Sequence, residues 1–313
     1  MPVDTLLWSA LGLVGATQLL AHRREARAAK LQPPAGQDVE VEGGRVHVVV
    51  MGDGLDLVLI HGSSGNTRDF THSLAPALAR SFRVFVVDRP GLGWSDPHPD
   101  GRQLDVQARV LQAAVAELGA PRPLVLGQSY GGAVALAWAA TLPDTLSAVV
   151  SVSGVAYPWS TGLGTYYTIL SSWPGRAFVI PLLTAFVPRP IIKREIDRAF
   201  APQDPPEGYE EHFGPELTIR RSQMRVNALQ RRALLGEIEA LSPRWRDIAV
   251  PIEIVHGDAD TVVSHVIHGE RLVAENPNAA LTLLPGIGHM PHHVSQPEVI
   301  AAVDRAALRA NVK

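Results

Sequence analysis

Past residue 38 the hydrophobic positions fall into short, near-continuous runs, separated by longer stretches with apolar residues at helical spacing. The runs 46–51, 57–60, 83–87, 124–126, 148–151, 252–255 and 281–284 are rich in Val, Leu and Ile with few polar breaks. Strands buried on both faces read this way. The stretches 68–79, 104–118, 130–141, 265–275 and 297–309 are the helices expected between them. Strand and helix in alternation make βαβ units and a mostly parallel sheet. Ahead of them, 39–42 and 45–51 flank Gly43-Gly44 and form an expected antiparallel hairpin.

The alternation stops between residues 155 and 242. Ten of the chain's 18 aromatic residues (7 Phe, 5 Tyr and 6 Trp) fall in this interval, among helical pieces broken by prolines. It is expected to be an inserted helical cap, with its own small core and an apolar wall toward a pocket. Arg220, Arg221, Arg225, Arg231 and Arg232 within it read as a solvated helix face.

The other end of the chain differs again. Residues 5–21 carry no formal charge, and His22-Arg23-Arg24-Glu25-Ala26-Arg27 follows directly. The stretch is expected to be a membrane anchor near the short limit for a span, with membrane association through residues 5–21. Its arginines come after the apolar part, not before it, which argues against a cleaved signal peptide and puts the remaining chain in the cytoplasm. The alternative is a soluble cytoplasmic protein whose first helix folds back over an apolar groove near the cap. Gln32-Pro33-Pro34-Ala35-Gly36-Gln37 reads as a linker.

Composition narrows the chemistry. Of 313 residues none is cysteine, so disulfides, thiolate metal sites and a cysteine nucleophile are excluded. With 28 basic and 31 acidic residues the net charge is -3, and no nucleic-acid footprint is visible. No cofactor or metal site is expected.

Gly127-Gln128-Ser129-Tyr130-Gly131 follows the run 124–126 and opens the helix 130–141. This is G-x-S-x-G in the strand–turn–helix setting that exposes a strained serine as a nucleophile. A serine hydroxyl needs a base to take its proton. His289, flanked by Gly288 and just beyond the run 281–284, is placed for that task better than His265, His268, His292 or His293. The acid that orients the base must come from the loop after 252–255, where Asp258 and Asp260 both stand; the stretch after 148–151 has no carboxylate. The order is then Ser, Asp, His.

These segments, with His61-Gly62-Ser63-Ser64 and Asp88-Arg89-Pro90-Gly91-Leu92-Gly93-Trp94-Ser95, resemble the α/β-hydrolase fold superfamily over residues 39–310. The resemblance implies a mostly parallel eight-stranded sheet flanked by helices, with the cap inserted. It divides the chain into anchor and linker at 1–37, core at 38–154 and 243–313, and cap at 155–242. Its Gly-x-x-Asp loop selects Asp260 over Asp258, giving a triad of Ser129, Asp260 and His289. It places the oxyanion donors on the backbone N–H groups of Ser63 and Tyr130, with Ser64 the weaker choice. Gln128 stands where many relatives carry His, and Ser264 where the acid loop often has Pro.

Dehalogenases and epoxide hydrolases of the fold carry aspartate at the elbow, so Ser129 points instead to an acyl-enzyme. The expected activity is hydrolysis of a small-molecule carboxylic ester with an apolar group. The same-fold alternatives are perhydrolase or haloperoxidase-like, lactonase and thioesterase activity. Carbon–carbon bond hydrolases share the triad, but the Gly-Pro-Gly extension of their oxyanion loop is absent after Ser63. A non-catalytic binding or accessory protein of this fold is the reading from a different class.

Overall fold

A computed structural model describes residues 3–312. The chain begins with a long helix, α1 (Val3–Leu31), then the hairpin β1 (Gln37–Val41) and β2 (Gly44–Met51), then β3 (Leu55–Ile60). The short helices α2 (Arg68–Thr71) and α3 (Leu74–Leu78) lead to β4 (Phe82–Val87), α4 (Leu104–Glu117), β5 (Leu124–Gln128), α5 (Tyr130–Thr141) and β6 (Ala148–Val152). The single helix expected over 68–79 is thus two, broken at His72 and Ser73.

The eight strands form one sheet in the order β1-β2-β4-β3-β5-β6-β7-β8, with β7 (Ile252–Gly257) and β8 (Ala279–Leu284) following the cap. Only β2 runs against its neighbours. Alternate residues of the central strands enter two separate cores. Val58, Ile60, Phe85, Val87 and Val125 pack with α4 and α5 on one face. Leu57, Leu59, Val84, Val86, Leu124 and Leu126 pack on the other, under Phe70 of α2, Leu74 of α3 and the last helix of the chain. Burial on both faces explains the near-continuous apolar runs.

The cap is built from α6 (Thr165–Ser171), a wide-turned segment Gly175–Val179 running into α7 (Ile180–Phe186), α8 (Arg189–Phe200), α9 (Tyr209–Phe213), α10 (Pro215–Thr218) and α11 (Arg221–Leu241). Leu170, Ile180, Met224 and Ala228 give it a small core of its own. The chain closes with α12 (Arg271–Glu275), α13 (Pro291–Val294) and α14 (Gln296–Arg309).

The arginine stripe is less solvated than its sequence implies. Arg221 pairs with Glu25 of α1 at 2.7 Å, Arg220 lies over the Trp94 ring and Arg231 over the Tyr167 ring. Arg225 and Arg232 are the exposed pair.

The expected membrane-spanning anchor needs correction. Among the described residues no single helix is long and apolar enough to cross a membrane. The helix does not stop where the charges begin but continues to Leu31. Its second half packs on α7 and α10, burying the small side chains Thr17, Ala21 and Ala28. Arg24 donates to the Val187 carbonyl at 2.7 Å and Gln32 to that of Glu211 at 2.8 Å. Residues 17–32 therefore belong to the folded body, as the folded-back alternative expected.

Candidate active site

Ser129 sits between β5 and α5 with φ 53° and ψ −115°, a strained conformation that turns its hydroxyl out of the sheet. Close approach explains the flanking glycines. A Cβ at Gly127 would stand 2.1 Å from the Gly131 carbonyl oxygen, and one at Gly131 would stand 2.1 Å from that of Ile60. At Gly132 it would meet the Gly154 backbone at 2.7 Å.

The Ser129 hydroxyl lies 3.0 Å from His289 Nε2, and His289 Nδ1 lies 2.7 Å from Asp260 Oδ2. All three side chains are buried. The other Asp260 oxygen accepts the Val262 and Val263 N–H groups at 2.8 and 2.9 Å. His256 Nε2 approaches the same carboxylate at 3.3 Å and lies 2.9 Å from the Val263 carbonyl. Burial pushes the Asp260 carboxyl up, but hydrogen bonds from His256 and His289, with the His289 charge, hold it well below the usual carboxylate range. The acid next door does something else: Asp258 accepts the Gly286 N–H at 2.6 Å. Gln128 donates to the His289 carbonyl at 3.3 Å, tethering the histidine loop to the elbow.

The early loop closes over Ser129. A Cβ at Gly62 would stand 3.2 Å from that of Ser129. Asn227 of α11 accepts the Ser64 N–H at 2.9 Å and donates to the Ser64 hydroxyl at 2.9 Å. The Ser64 N–H is thereby occupied within the protein.

Sequence reasoning missed Arg89. Its guanidinium is fully buried and has no carboxylate among its hydrogen-bond partners. It donates to the His61 and Gly62 carbonyls at 3.0 and 2.9 Å, and to Gln107 and Gln230 at 3.0 and 2.7 Å. It also lies over the Tyr130 ring, 4.1 Å from its centroid. Burial pulls its pKa down to about 10, so it stays protonated at neutral pH. One cation thus links the early loop, through the Gly62 carbonyl beside Ser63, to the first residue of α5. The Arg89 N–H also donates to His61 Nε2 at 3.1 Å, which leaves His61 Nδ1–H to donate to the Gly62 carbonyl at 2.9 Å. Burial, with the nearby Arg89 charge, drops the His61 pKa to about 4 and keeps that ring neutral. Asp88 is the hub of the following turn, accepting from His47, Thr67 and Trp94 at 2.7–2.9 Å.

Comparison with known proteins agrees with this architecture. The family model described as "Alpha/beta hydrolase family" matches residues 57–303, and the chain belongs to that family. Among curated relatives, a 2-hydroxy-6-oxononadienedioate/2-hydroxy-6-oxononatrienedioate hydrolase of Klebsiella pneumoniae is 28% identical, covering 79% of this chain and 86% of its own length. Haloalkane dehalogenase 2 of Mycobacterium tuberculosis is also 28% identical, covering 83% and 90%. A solved structure, that of a bacterial membrane phospholipase A, overlays 97% of both chains with a TM-score of 0.65 at 18% identity, a likeness of fold.

Proposed function

We propose that this hydrolase-family protein cleaves carboxylic esters through an acyl-enzyme on Ser129. The carrying observation is the hydrogen-bonded line from the Ser129 hydroxyl through His289 to Asp260. His289 Nε2 takes the serine proton as Oγ attacks the ester carbonyl carbon. The N–H groups of Ser63 and Tyr130 receive the oxyanion. The C–O bond then breaks, and the leaving alkoxide takes the proton from His289. Water, deprotonated by His289, attacks the acyl group, frees the acid and returns the proton to Ser129. Asp260 holds the Nδ1–H tautomer and balances the imidazolium charge.

The relatives' names differ in chemistry, so the elbow residue decides among them. It is a hydroxyl, which supports acyl transfer over displacement of halide by a carboxylate. Carbon–carbon bond cleavage is the second reading, favoured by the Klebsiella relative's name. Against it, Ser63-Ser64-Gly65-Asn66 lacks the extended loop expected of such enzymes. A panel of p-nitrophenyl esters of increasing chain length, with fluorophosphonate labelling, tests the proposal on wild type and Ser129→Ala. Turnover and labelling in the wild type alone support it. Absence of labelling in the wild type leaves a binding role and sinks the ester reading.

A further inference from the structure

The first half of α1 stands clear of the folded body. Residues 11–16 are exposed on every side of the helix, and a Cβ at Gly12 or Gly15 would have nothing within 4 Å. Trp8, Leu11, Leu13 and Val14 are exposed here, Trp8 by 71% and Leu13 by 67%. A helix apolar all round is at home in a core or a bilayer, not in water.

A second exposed apolar region lies beside it. Tyr166, Ile169, Trp173, Phe178, Leu182 and Phe186 on the first cap helices are all exposed, Trp173 by 69%. α6 and the segment Gly175–Phe186 together have the hydropathy of a membrane segment, although they meet at a bend of 88°. α1 packs on α7, the helix that carries Leu182 and Phe186 of this region. Isolated apolar side chains on a surface are ordinary, but two adjoining groups of this size are not.

Charge identifies what the face meets. Arg23, Arg27 and Lys30, exposed directly after the apolar half of α1, form no ion pair with any described residue. Apolar side chains beside a basic collar match acyl chains beside anionic headgroups. The uncharged stretch 5–21 would be about 25 Å long as a helix, short of a hydrocarbon core of about 30 Å.

We propose that the projecting half of α1 and the exposed face of α6 and α7 form one membrane-docking surface, on which the protein sits in a single leaflet without spanning the bilayer. Trp8, Leu11, Leu13 and Val14 enter the acyl region, Trp173, Phe178 and Phe186 lie at headgroup depth, and Arg23, Arg27 and Lys30 meet lipid phosphates. This orientation puts the cap, rather than the opposite face of the sheet, against the lipid. The proposal is independent of the chemistry at Ser129.

The test uses the full chain and vesicles of phosphatidylcholine, with and without phosphatidylglycerol. Because the chain has no cysteine, a single one can carry an environment-sensitive fluorophore. At Phe178→Cys its emission is expected to rise and shift to the blue on vesicles. At Leu308→Cys, an exposed apolar position on α14, it is expected to stay unchanged. The pair Trp173→Asp and Phe178→Asp should weaken flotation with vesicles at least about tenfold with α1 intact. Phosphatidylglycerol should strengthen binding, and high salt should reduce it without abolishing it. Wild-type flotation by the cap double variant, or a silent Phe178 probe, would mean that α1 acts alone and would overturn the proposal. So would complete release by salt. A lipid-free dimer that the same variants dissociate, with no vesicle binding, would make the face an interface between copies and equally defeat it.

Discussion

Two aspartate–histidine clusters draw their histidines from one short stretch, His289 for one and His292 and His293 of α13 for the other, and they do different things. In one, His289 turns Nδ1 to Asp260 and Nε2 to the Ser129 hydroxyl, so the ring connects a carboxylate to a hydroxyl. In the other, His292 and His293 both turn Nε2 to Asp69, at 3.2 and 2.9 Å, and Tyr209 of the cap donates to the same carboxylate at 2.8 Å. Nδ1 of both rings is buried with no hydrogen-bond partner among the described residues. A histidine paired with a carboxylate becomes a base only when its second nitrogen faces a reactive group. The Asp69 cluster instead ties α2, the cap and the histidine loop together. Its donor atoms lie within 4.8 Å of one another, close enough for an ion. Metal-bound histidines, however, normally donate their other N–H to an acceptor, and among the described residues neither ring has one.

The largest expected difference between the clusters is catalytic. Ser129→Ala and His289→Ala should each lower kcat by about 10⁴- to 10⁶-fold with little change in Tm, and the double variant should be scarcely worse. Asp260→Asn should cost about 10⁴-fold through the wrong tautomer. Asp69→Asn should behave in the opposite way. Its kcat should stay within about tenfold, while stability falls on the order of 3 kcal/mol as buried donors lose their carboxylate. If Asp69→Asn kept its Tm but lost fluorophosphonate labelling, the distinction between the clusters would collapse.

Arg89 sharpens the comparison one step out from the triad. Arg89→Gln should lower kcat by up to about 10²-fold with KM nearly unchanged, because the loop proposed to receive the oxyanion loses its anchor. Pre-steady-state acylation rates separate this from a general loss of fold. A large rise in KM at constant kcat would instead make Arg89 a determinant of substrate binding.

Much of this arrangement was legible in the sequence, and the exceptions have physical causes. The central strands β3, β4, β5 and β6 were readable because burial on both faces favours apolar runs, whereas the mostly exposed β1 was readable from the Gly43-Gly44 turn beside it. The elbow was readable because the contacts at Gly127 and Gly131 admit no side chain. Arg89 was not, since a charged residue normally reads as surface, and its carbonyl partners come from a loop 28 positions away. The Asp69 cluster pairs residues 223 and 224 positions apart, so its histidines could appear only as alternatives to His289. The short cap helices, broken by prolines, give no periodicity long enough to place one by one. α1 looked like a separate anchor because its charge-free run ends at Ala21. Its attachment depends on Glu25 meeting Arg221 across 196 positions.

Acid should weaken the fold around the loop that Arg89 anchors. Folded His61 has a pKa of about 4, below the roughly 6.5 of an unfolded histidine. Between these values the unfolded chain binds a proton that the folded chain refuses, so stability falls as pH drops through the window. His268, lowered to about 4 by burial and by His256, adds a loss of the same sign. Each contributes at most about 3 kcal/mol. Thermal melts should therefore show Tm declining from about pH 6.5 toward about pH 4. A flat profile would mean that these rings gain protons without cost in the folded state.

The smallest effect separates two acids within one loop. Asp258 and Asp260 are two residues apart, and both accept backbone N–H groups, yet only Asp260 touches a histidine. The Asp258 bond to Gly286 is solvent-exposed, so water can replace it when the carboxylate becomes an amide. Asp258→Asn should therefore change kcat less than about threefold and stability by about 1 kcal/mol or less. Gly286 begins the turn that leads to His289, so the substitution also measures how rigidly that turn must be held. A small rise in KM with unchanged kcat would indicate a loosened loop. A loss approaching that of Asp260→Asn would mean that the orienting charge comes from Asp258 in the working enzyme, and the triad drawn here would be wrong at its third member.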